Sequence, residues 1–193
     1  MAKFTVTNSL FYDNFPFSID RKDARSHLPR QPATFITWFE AMVFAWWLGC
    51  DLATEAEWEY ACRAGGVDDR ELFDFRTLDG RAWFVDNAQD LTHEVGTKAA
   101  NSWGIYDMIG NVREWCKDWF GMNYYKECLA AGAMTDPQGP TAGAAKVIRG
   151  GCFDWNEANL APTYRNYNPP HNSYFANGFR LVFRGENPSL PQL

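Results

Sequence analysis

The chain has 193 residues, of which 46% are hydrophobic and 17% aromatic, which is ample for a folded core and excludes global disorder. A formal net charge of −6 excludes a general electrostatic attraction to nucleic acid or anionic lipid, and no run of Lys and Arg creates a basic segment. No stretch reaches the ~18 apolar residues that a membrane-spanning helix needs.

The cysteines and the first residues bear on the compartment. Five cysteines, widely spaced and without a CxxC pair, predict free or buried thiols rather than a structural zinc site or a complete disulfide framework. The opening MAKFTVTNSLFYDNF lacks the continuous apolar stretch and cleavage site of a signal peptide. The cytoplasm is therefore favoured, unless the chain is a piece of a longer, exported protein.

The first third of the chain predicts an irregular segment followed by a helix. Residues 1–33 are expected to be irregular, with FTVTN as a candidate short strand. The run TWFEAMVFAWWL, Thr37–Leu48, predicts a helix, because Thr37 can cap its start, Glu40 lies at the third helical position and Gly49 follows its end. Apolar residues cover most of its circumference, which predicts that the helix is well buried.

A second helix is predicted in LATEAEWEYACRAG, Leu52–Gly65, where Thr54 and Glu57 form a capping-box pattern. From 67 to 145 the apolar runs are short and turn residues are frequent, so long loops are expected, with a short helical turn at GMNYYKECLAA. The segments KVIRGGCF and GFRLVFR are predicted strands. Two helices followed by a loop-rich body with a few strands predict a single α+β domain over 1–193.

Four segments occur in a characteristic order: LATEAEWEYACRAG, NSWGIYDMIGNVREWCKDWF, VIRGGCF and NGFRLVF. Together they resemble the formylglycine-generating enzyme, or sulfatase-modifying factor, family over about residues 35–184. The resemblance implies a C-type-lectin-like fold, in which two helices pack on a small twisted antiparallel sheet with long loops above it. It also implies that Arg180 is buried and hydrogen-bonded near the sheet.

The enzymatic members of this family bind copper through two cysteines, four and nine residues past the second Gly of the RGG motif. In this chain those positions hold Trp155 and Leu160, and neither can be a thiolate ligand or a redox partner. Cys152 is expected to be a small buried residue. We therefore expect no copper and no catalysis. The alternative is a divergent oxidoreductase that uses Cys152 with another thiol.

The segment IYDMIGNVREW corresponds to a structural calcium site that the resemblance implies. Asp107 and Glu114 would provide carboxylates, and Gly110 and Val112 would provide backbone carbonyls. Such a set is reasonable, because Ca²⁺ takes six to eight oxygens and a tight glycine-containing loop can turn carbonyls inward. The alternative is that the two carboxylates cap and pair within a packed loop.

The expected variable region is 150–183, and its central part, 153–177, lies between two predicted strands. That part holds six Asn and three Tyr together with Phe153, Trp155, His171 and Phe175. This composition on loops is typical of a paratope, because rings give contact area at low entropic cost and Asn gives adaptable hydrogen bonds. The alternative is that the Asn side chains satisfy irregular backbone. The pattern resembles the variable proteins of diversity-generating retroelements, in which reverse-transcription errors at template adenines change chosen codons between an RGG strand and a GFRLV strand.

This narrower resemblance implies a non-catalytic ligand-binding variable protein that displays diversified residues on a C-type lectin scaffold. The expected binding face has eleven residues: Asp154, Asn156, Asn159, Tyr164, Asn166, Tyr167, Asn168, His171, Asn172, Tyr174 and Phe175. A protein partner is favoured over a glycan, because aromatic residues dominate binding hot spots. Neither nucleic acid nor a membrane span is expected. A structural or regulatory accessory domain is the remaining alternative.

Overall fold

The computed structural model describes residues 1–66, 75–132 and 134–185. In chain order its elements are α1 (Asn8–Tyr12), α2 (Trp38–Trp47), β1 (Asp51–Leu52), α3 (Glu55–Cys62), α4 (Phe75–Leu78), β2 (Arg113–Trp119), α5 (Tyr124–Ala131), β3 (Lys146–Arg149), a 3-10 turn (Glu157–Leu160), β4 (Asn166–Asn168), β5 (Asn177–Phe179) and β6 (Leu181–Val182). The predicted α+β class is confirmed. The predicted loop region 67–145 includes residues 67–74 and 133, and the predicted domain includes 186–193; these lie outside the described ranges.

The main sheet has four strands in the order β4-β3-β2-β5, and β1 pairs with β6 in a separate two-stranded sheet. β2 is antiparallel to β3 but parallel to β5. The main sheet is therefore mixed, which corrects the expectation of an antiparallel sheet. The reason is the crossing made by residues 169–176, which carries the chain from β4 at one edge to β5 at the other. The single GFRLVFR strand predicted from the sequence is divided between β5 and β6, one in each sheet.

The two predicted helices start at the predicted caps. Thr37 Oγ1 accepts a hydrogen bond from the Glu40 amide at 3.2 Å, and the Glu40 carboxylate accepts one from the Thr37 amide at 2.9 Å. Thr54 and Glu57 form the same reciprocal pair, at 3.2 and 2.7 Å. Both capping boxes are confirmed, since such contacts depend only on residues three apart.

The core is divided between the two faces of the main sheet, because neighbouring residues of a strand point to opposite sides. Trp115 and Ile148 are paired across β2 and β3 and pack with the buried side of α2. Cys116 and Val147 pack on the other face with Trp58 of α3. Each face of the sheet is thus covered by one of the two long helices.

The expectation that α2 is well buried is wrong. Ala41, Phe44 and Ala45 are buried against the sheet, whereas Val43 and Trp46 are 48% and 79% exposed on the opposite side. The reason is the layer order: α2 is the outermost layer on its face of the sheet, so only one side of it meets the core.

The first 33 residues are more ordered than the sequence predicts. Thr7 caps the short helix α1 by accepting from the Leu10 amide at 3.3 Å, and Phe11 of that helix is fully buried. The candidate strand at FTVTN makes only an isolated bridge, between Thr7 and Pro32. A five-residue helix is too short to leave a readable period in the sequence. Within the described ranges, no helix combines the length and the apolar character needed to cross a membrane.

Candidate functional site

The eleven residues of the expected binding face all reach solvent. Asn156, Tyr164, Tyr167, His171 and Tyr174 are exposed, and the other six are half-buried. The segment between them is held from below by apolar side chains, since Phe153, Leu160 and Ala176 are fully buried. Accessible polar and aromatic side chains thus alternate with buried anchors along one connection.

The first part of the segment is built around Trp155. Its ring is in edge contact with Tyr164, with ring centroids 5.7 Å apart, and the Arg113 guanidinium lies 4.9 Å from the ring centroid on a cation–π contact. Its carbonyl accepts from the Val85 amide at 3.1 Å. Trp155 therefore supports Tyr164 from a fixed position, and it occupies a place where the copper-binding family members have a cysteine.

The strand β4 places its three residues on different sides of the sheet. Tyr167 is paired with Val147, so it points to the face covered by α3, where its ring stacks on Phe120 at 4.3 Å. Asn166 and Asn168 point to the face covered by α2. The expected face is therefore not one flat surface: it wraps around the edge of the sheet that β4 forms.

The return crossing, residues 169–176, is hydrogen-bonded to the first residue of α2 and to the chain just before it. The Pro170 carbonyl accepts from the Trp38 amide at 3.1 Å, and the Tyr174 carbonyl accepts from the Phe35 amide at 3.0 Å. The Phe175 ring lies 5.9 Å from that of Phe153, so it partly serves the core. The backbone of this crossing is fixed, although its side chains at 171, 172 and 174 reach solvent.

A buried ionic network under the segment was missed from the sequence. Glu55, at the start of α3, binds Arg149 at 2.7 Å and forms a two-bond contact with Arg165 at 2.7 and 2.8 Å. Arg149 also binds Glu59 at 2.7 Å and donates to the Pro162 carbonyl. Burial alone would lower the pKa of Arg149, but the two glutamates outweigh it and raise that pKa. Arg149 of the RGG motif and Arg165, between Tyr164 and Asn166, were the available signal. Both attach this part of the chain to α3.

A cavity of about 310 Å³, lined by residues of α2, β2, β3 and the 138–141 loop, was also not predicted from the sequence. The Lys146 ammonium lies 3.9 and 3.8 Å from the ring centroids of Trp38 and Trp119 and donates to the Lys117 carbonyl. Burial lowers the pKa of Lys146 to about 8, and burial raises the pKa of the neighbouring Asp118 to about 6. No short motif predicts this cavity, because the residues that line it are scattered along the chain.

The two carboxylates of the expected calcium site, Asp107 and Glu114, accept hydrogen bonds from the protein. Glu114 Oε1 accepts from Thr5 at 2.6 Å and from Arg180 at 2.8 Å, and Glu114 Oε2 accepts from Trp58 at 2.9 Å. Asp107 Oδ2 accepts from the Gly96 amide at 2.7 Å, and burial raises the Asp107 pKa. Arg180 is 1% exposed, which confirms its predicted role.

In this arrangement the charge of Glu114 is neutralised by Arg180, and both of its oxygens accept hydrogen bonds. It agrees with the alternative of pairing within a packed loop. Among the described residues, no three His, Cys, Asp or Glu side chains come together as a metal site. Calcium binding through Asp107, Gly110, Val112 and Glu114 stays a prediction.

The Cys152 thiol, directly after the RGG motif, is not accessible to solvent. Cys152 is fully buried, as predicted, and its thiol lies 2.9 Å from Asp154 Oδ1, to which it donates. Burial raises its pKa well above the usual value, so the thiol is protonated at neutral pH. A protonated thiol is neither a nucleophile nor a metal ligand.

Comparison with known proteins now decides the family. The family described as the sulfatase-modifying factor enzyme 1-like domain matches residues 2–184. The chain belongs to this family.

Among curated proteins, the chain is 37% identical over 153 residues to the serine/threonine-protein kinase pkn1 of Chlamydia pneumoniae, covering 79% of this chain and 24% of that protein. It is 36% identical over 170 residues to the formylglycine-generating enzyme of Streptomyces coelicolor, covering 80% of this chain and 53% of that enzyme. The chain therefore spans only part of the length of these relatives.

Two solved structures have the same fold. The Treponema denticola variable protein 1 superposes with a TM-score of 0.74 at 24% identity, covering 92% of this chain and 81% of that one. PvdO from Pseudomonas aeruginosa superposes with a TM-score of 0.72 at 27% identity, covering 83% of this chain and 64% of that one. The predicted family and fold are confirmed.

Proposed function

We propose that this chain is a non-catalytic ligand-binding domain, a variable protein of a diversity-generating retroelement that displays changeable side chains on a sulfatase-modifying factor scaffold. One observation carries the proposal: segment 150–183 separates into buried anchors and accessible side chains. Phe153, Leu160, Ala176 and Arg180 are at most 1% exposed, whereas all eleven residues of the expected face reach solvent.

This separation is what repeated change of residues requires. Surface substitutions away from special contacts usually alter stability by no more than about 0.5 kcal/mol, whereas changes in a packed core cost several times more. Besides these anchors, Arg165 within the segment and Arg149 directly before it both bind Glu55, which lies outside the segment. New side chains at the accessible positions would leave this support unchanged, and a fixed backbone lowers the entropic cost of binding.

The exposed chemistry favours a protein partner over a glycan. Tyr164, Tyr167 and Tyr174 are 37%, 47% and 39% exposed, so each presents part of a ring with a hydroxyl. Tyrosine is enriched among the residues that dominate protein interfaces. The asparagines between them can donate and accept hydrogen bonds with many partners.

The absence of catalysis is part of the proposal, and three observations support it. Trp155 and Leu160 stand where copper-binding members have cysteines, and Leu160 is fully buried in the core beside α3. Cys152 is buried and its pKa is raised by that burial. The rival is a divergent oxidoreductase, which the 36% identity to a formylglycine-generating enzyme favours.

The decisive experiment is nucleotide sequencing around the gene. We expect a near-copy of the codons for residues 150–183 close to a reverse-transcriptase gene, differing from the coding copy mainly where the near-copy has adenine. The differences should fall at codons of the eleven accessible residues and spare those of the buried anchors. A locus without such a copy, or differences spread equally over anchors and accessible residues, would refute the variable-protein assignment.

A second measurement separates binding from oxidation. Titration of the reduced full chain with Cu(I), followed by oxygen consumption with a cysteine-containing sulfatase peptide, should give neither tight copper binding nor oxygen uptake. The formylglycine-generating enzyme of Streptomyces coelicolor is the matched positive control. Copper-dependent oxygen uptake that is lost in Cys152→Ser would establish the oxidoreductase instead.

A further inference from the structure

The outer side of α2 carries apolar side chains that lie open to solvent. Phe39, Val43, Trp46 and Trp47 are 51%, 48%, 79% and 45% exposed. At about 100° per residue, these positions fall within one arc of about 100° on the helix surface. A helix that is apolar around its whole circumference is normally covered on all sides. The open side of α2 therefore indicates a surface that is covered in the assembled protein.

The chain before Arg21 extends this surface. The Phe15 ring packs against Trp47 at one end, with centroids 5.7 Å apart, and Arg21 binds Glu40 at 2.8 Å at the other end. Between these contacts the segment runs beside α2 and exposes Phe17 by 71% and Ile19 by 61%. We call the combined surface the α2 face; it consists of Phe17, Ile19, Phe39, Val43, Trp46 and Trp47.

The α2 face is large enough for a specific contact. Aromatic side chains bury about 150–250 Å² each, so its four aromatic residues alone expose roughly 500 Å². That is already near the upper end of the ~300–600 Å² usual for the largest apolar patch of a monomer. With Ile19, Val43 and a polar rim, it approaches the ~800 Å² per partner of a standard interface.

The charges around the α2 face suit a contact with its own copy. In a two-fold interface each patch meets the identical patch of the other copy, so an unpaired charge near the axis would be repelled by the same charge on that copy. Glu40 is the only charged residue of α2, and Arg21 neutralises it. Nearby Asp20 and Lys22 also pair, at 3.3 Å. The net charge of −6 therefore does not lie on this surface.

We propose that a second copy of this chain covers the α2 face, forming a two-fold dimer in which the two α2 helices pack against each other. The dimer does not require the proposed ligand-binding function. Where that function holds, two binding faces on one dimer would raise the apparent affinity for a ligand displayed in many copies.

The test is sedimentation velocity on the full chain from micromolar to submillimolar concentration. We expect a species of twice the chain mass of 22.1 kDa. Trp46→Glu should raise the dimer dissociation constant at least about tenfold, since it places opposed carboxylates in the apolar contact. Leu129→Glu is the matched control: Leu129 is 83% exposed on α5, away from the α2 face, and its replacement should leave the dimer intact.

Circular dichroism establishes that each variant is folded, and Val43→Lys takes the place of Trp46→Glu if that variant fails to fold. A wild-type chain that sediments as a single copy throughout would overturn the proposal. So would a dimer that survives both Trp46→Glu and Val43→Lys. Flotation of a single-copy wild-type chain with neutral phosphatidylcholine vesicles would also overturn it, and would identify a lipid surface as the occupant.

Discussion

Replacing Arg180 with Met tests how much the buried Arg180–Glu114 ion pair stabilises the fold. Arg180 and Glu114 are both 1% exposed and joined at 2.8 Å. Arg180 also donates to the carbonyls of Ala2 and Tyr106 at 3.0 and 2.7 Å, so it joins the N-terminal segment to β2. Met keeps much of the volume but leaves the Glu114 carboxylate buried without its cation.

The expected cost is large, because breaking a buried ion pair by removing one partner typically costs about 3–5 kcal/mol. A domain has only about 5–15 kcal/mol of stability in total. At about 2–4 °C per kcal/mol for a chain of this size, Arg180→Met should lower the melting temperature by roughly 6–20 °C. The matched control is Arg184→Met: Arg184 is 37% exposed and pairs with Asp51 and Glu57 at the surface, so we expect about 0–1 kcal/mol.

Urea unfolding of Arg180→Met, of Glu114→Gln and of the double variant measures the coupling free energy between Arg180 and Glu114. Glu114→Gln should destabilise the wild-type chain. In the Arg180→Met background it should instead stabilise by more than about 1 kcal/mol, because it removes the uncompensated charge. Its single amide oxygen keeps an acceptor for the Trp58 indole, and the Thr5 hydroxyl can accept from the new amide NH2. A Glu114→Gln effect of equal size and the same sign in both backgrounds would refute this account of the buried pair.

Three further predictions concern pH, the segment and calcium. Burial raises the Asp118 pKa from 3.8 to about 6, so between these pH values the folded chain retains a proton that the unfolded chain releases. The free energy of unfolding should therefore fall as the pH rises from about 4 to about 6, and Asp118→Asn should flatten that part of a pH–denaturation curve. Asn156→Ala and His171→Ala should change the unfolding free energy by less than about 0.5 kcal/mol, whereas Leu160→Ala should cost about 2–5 kcal/mol in the same urea titrations; equal effects would contradict the separation of anchors from accessible residues. With Glu114 held by an arginine, the melting temperature should be the same in millimolar Ca²⁺ as in EDTA, and a rise of several degrees would mean that the loop rearranges to bind the ion.

The sequence by itself determined the features that depend on residues close in the chain. Thr37 with Glu40 and Thr54 with Glu57 placed the starts of both long helices, since a capping box needs only residues three apart. The ordered motifs fixed the family, and with it the fold and the burial of Arg180. The solvent access of the eleven expected residues also followed, because Asn and Tyr in a loop segment favour exposed positions.

Only the tertiary structure decided the features that depend on packing between elements distant in the sequence. α2 looks buried in sequence, yet one side is open because nothing in the described chain forms a layer beyond it. Glu55 joins Arg149 and Arg165 across about a hundred positions, and no local pattern encodes such a pairing. The parallel placement of β5 follows from the crossing of residues 169–176 to the other edge of the sheet. The face that each β4 residue meets follows from strand register, which is set by contacts distant in sequence.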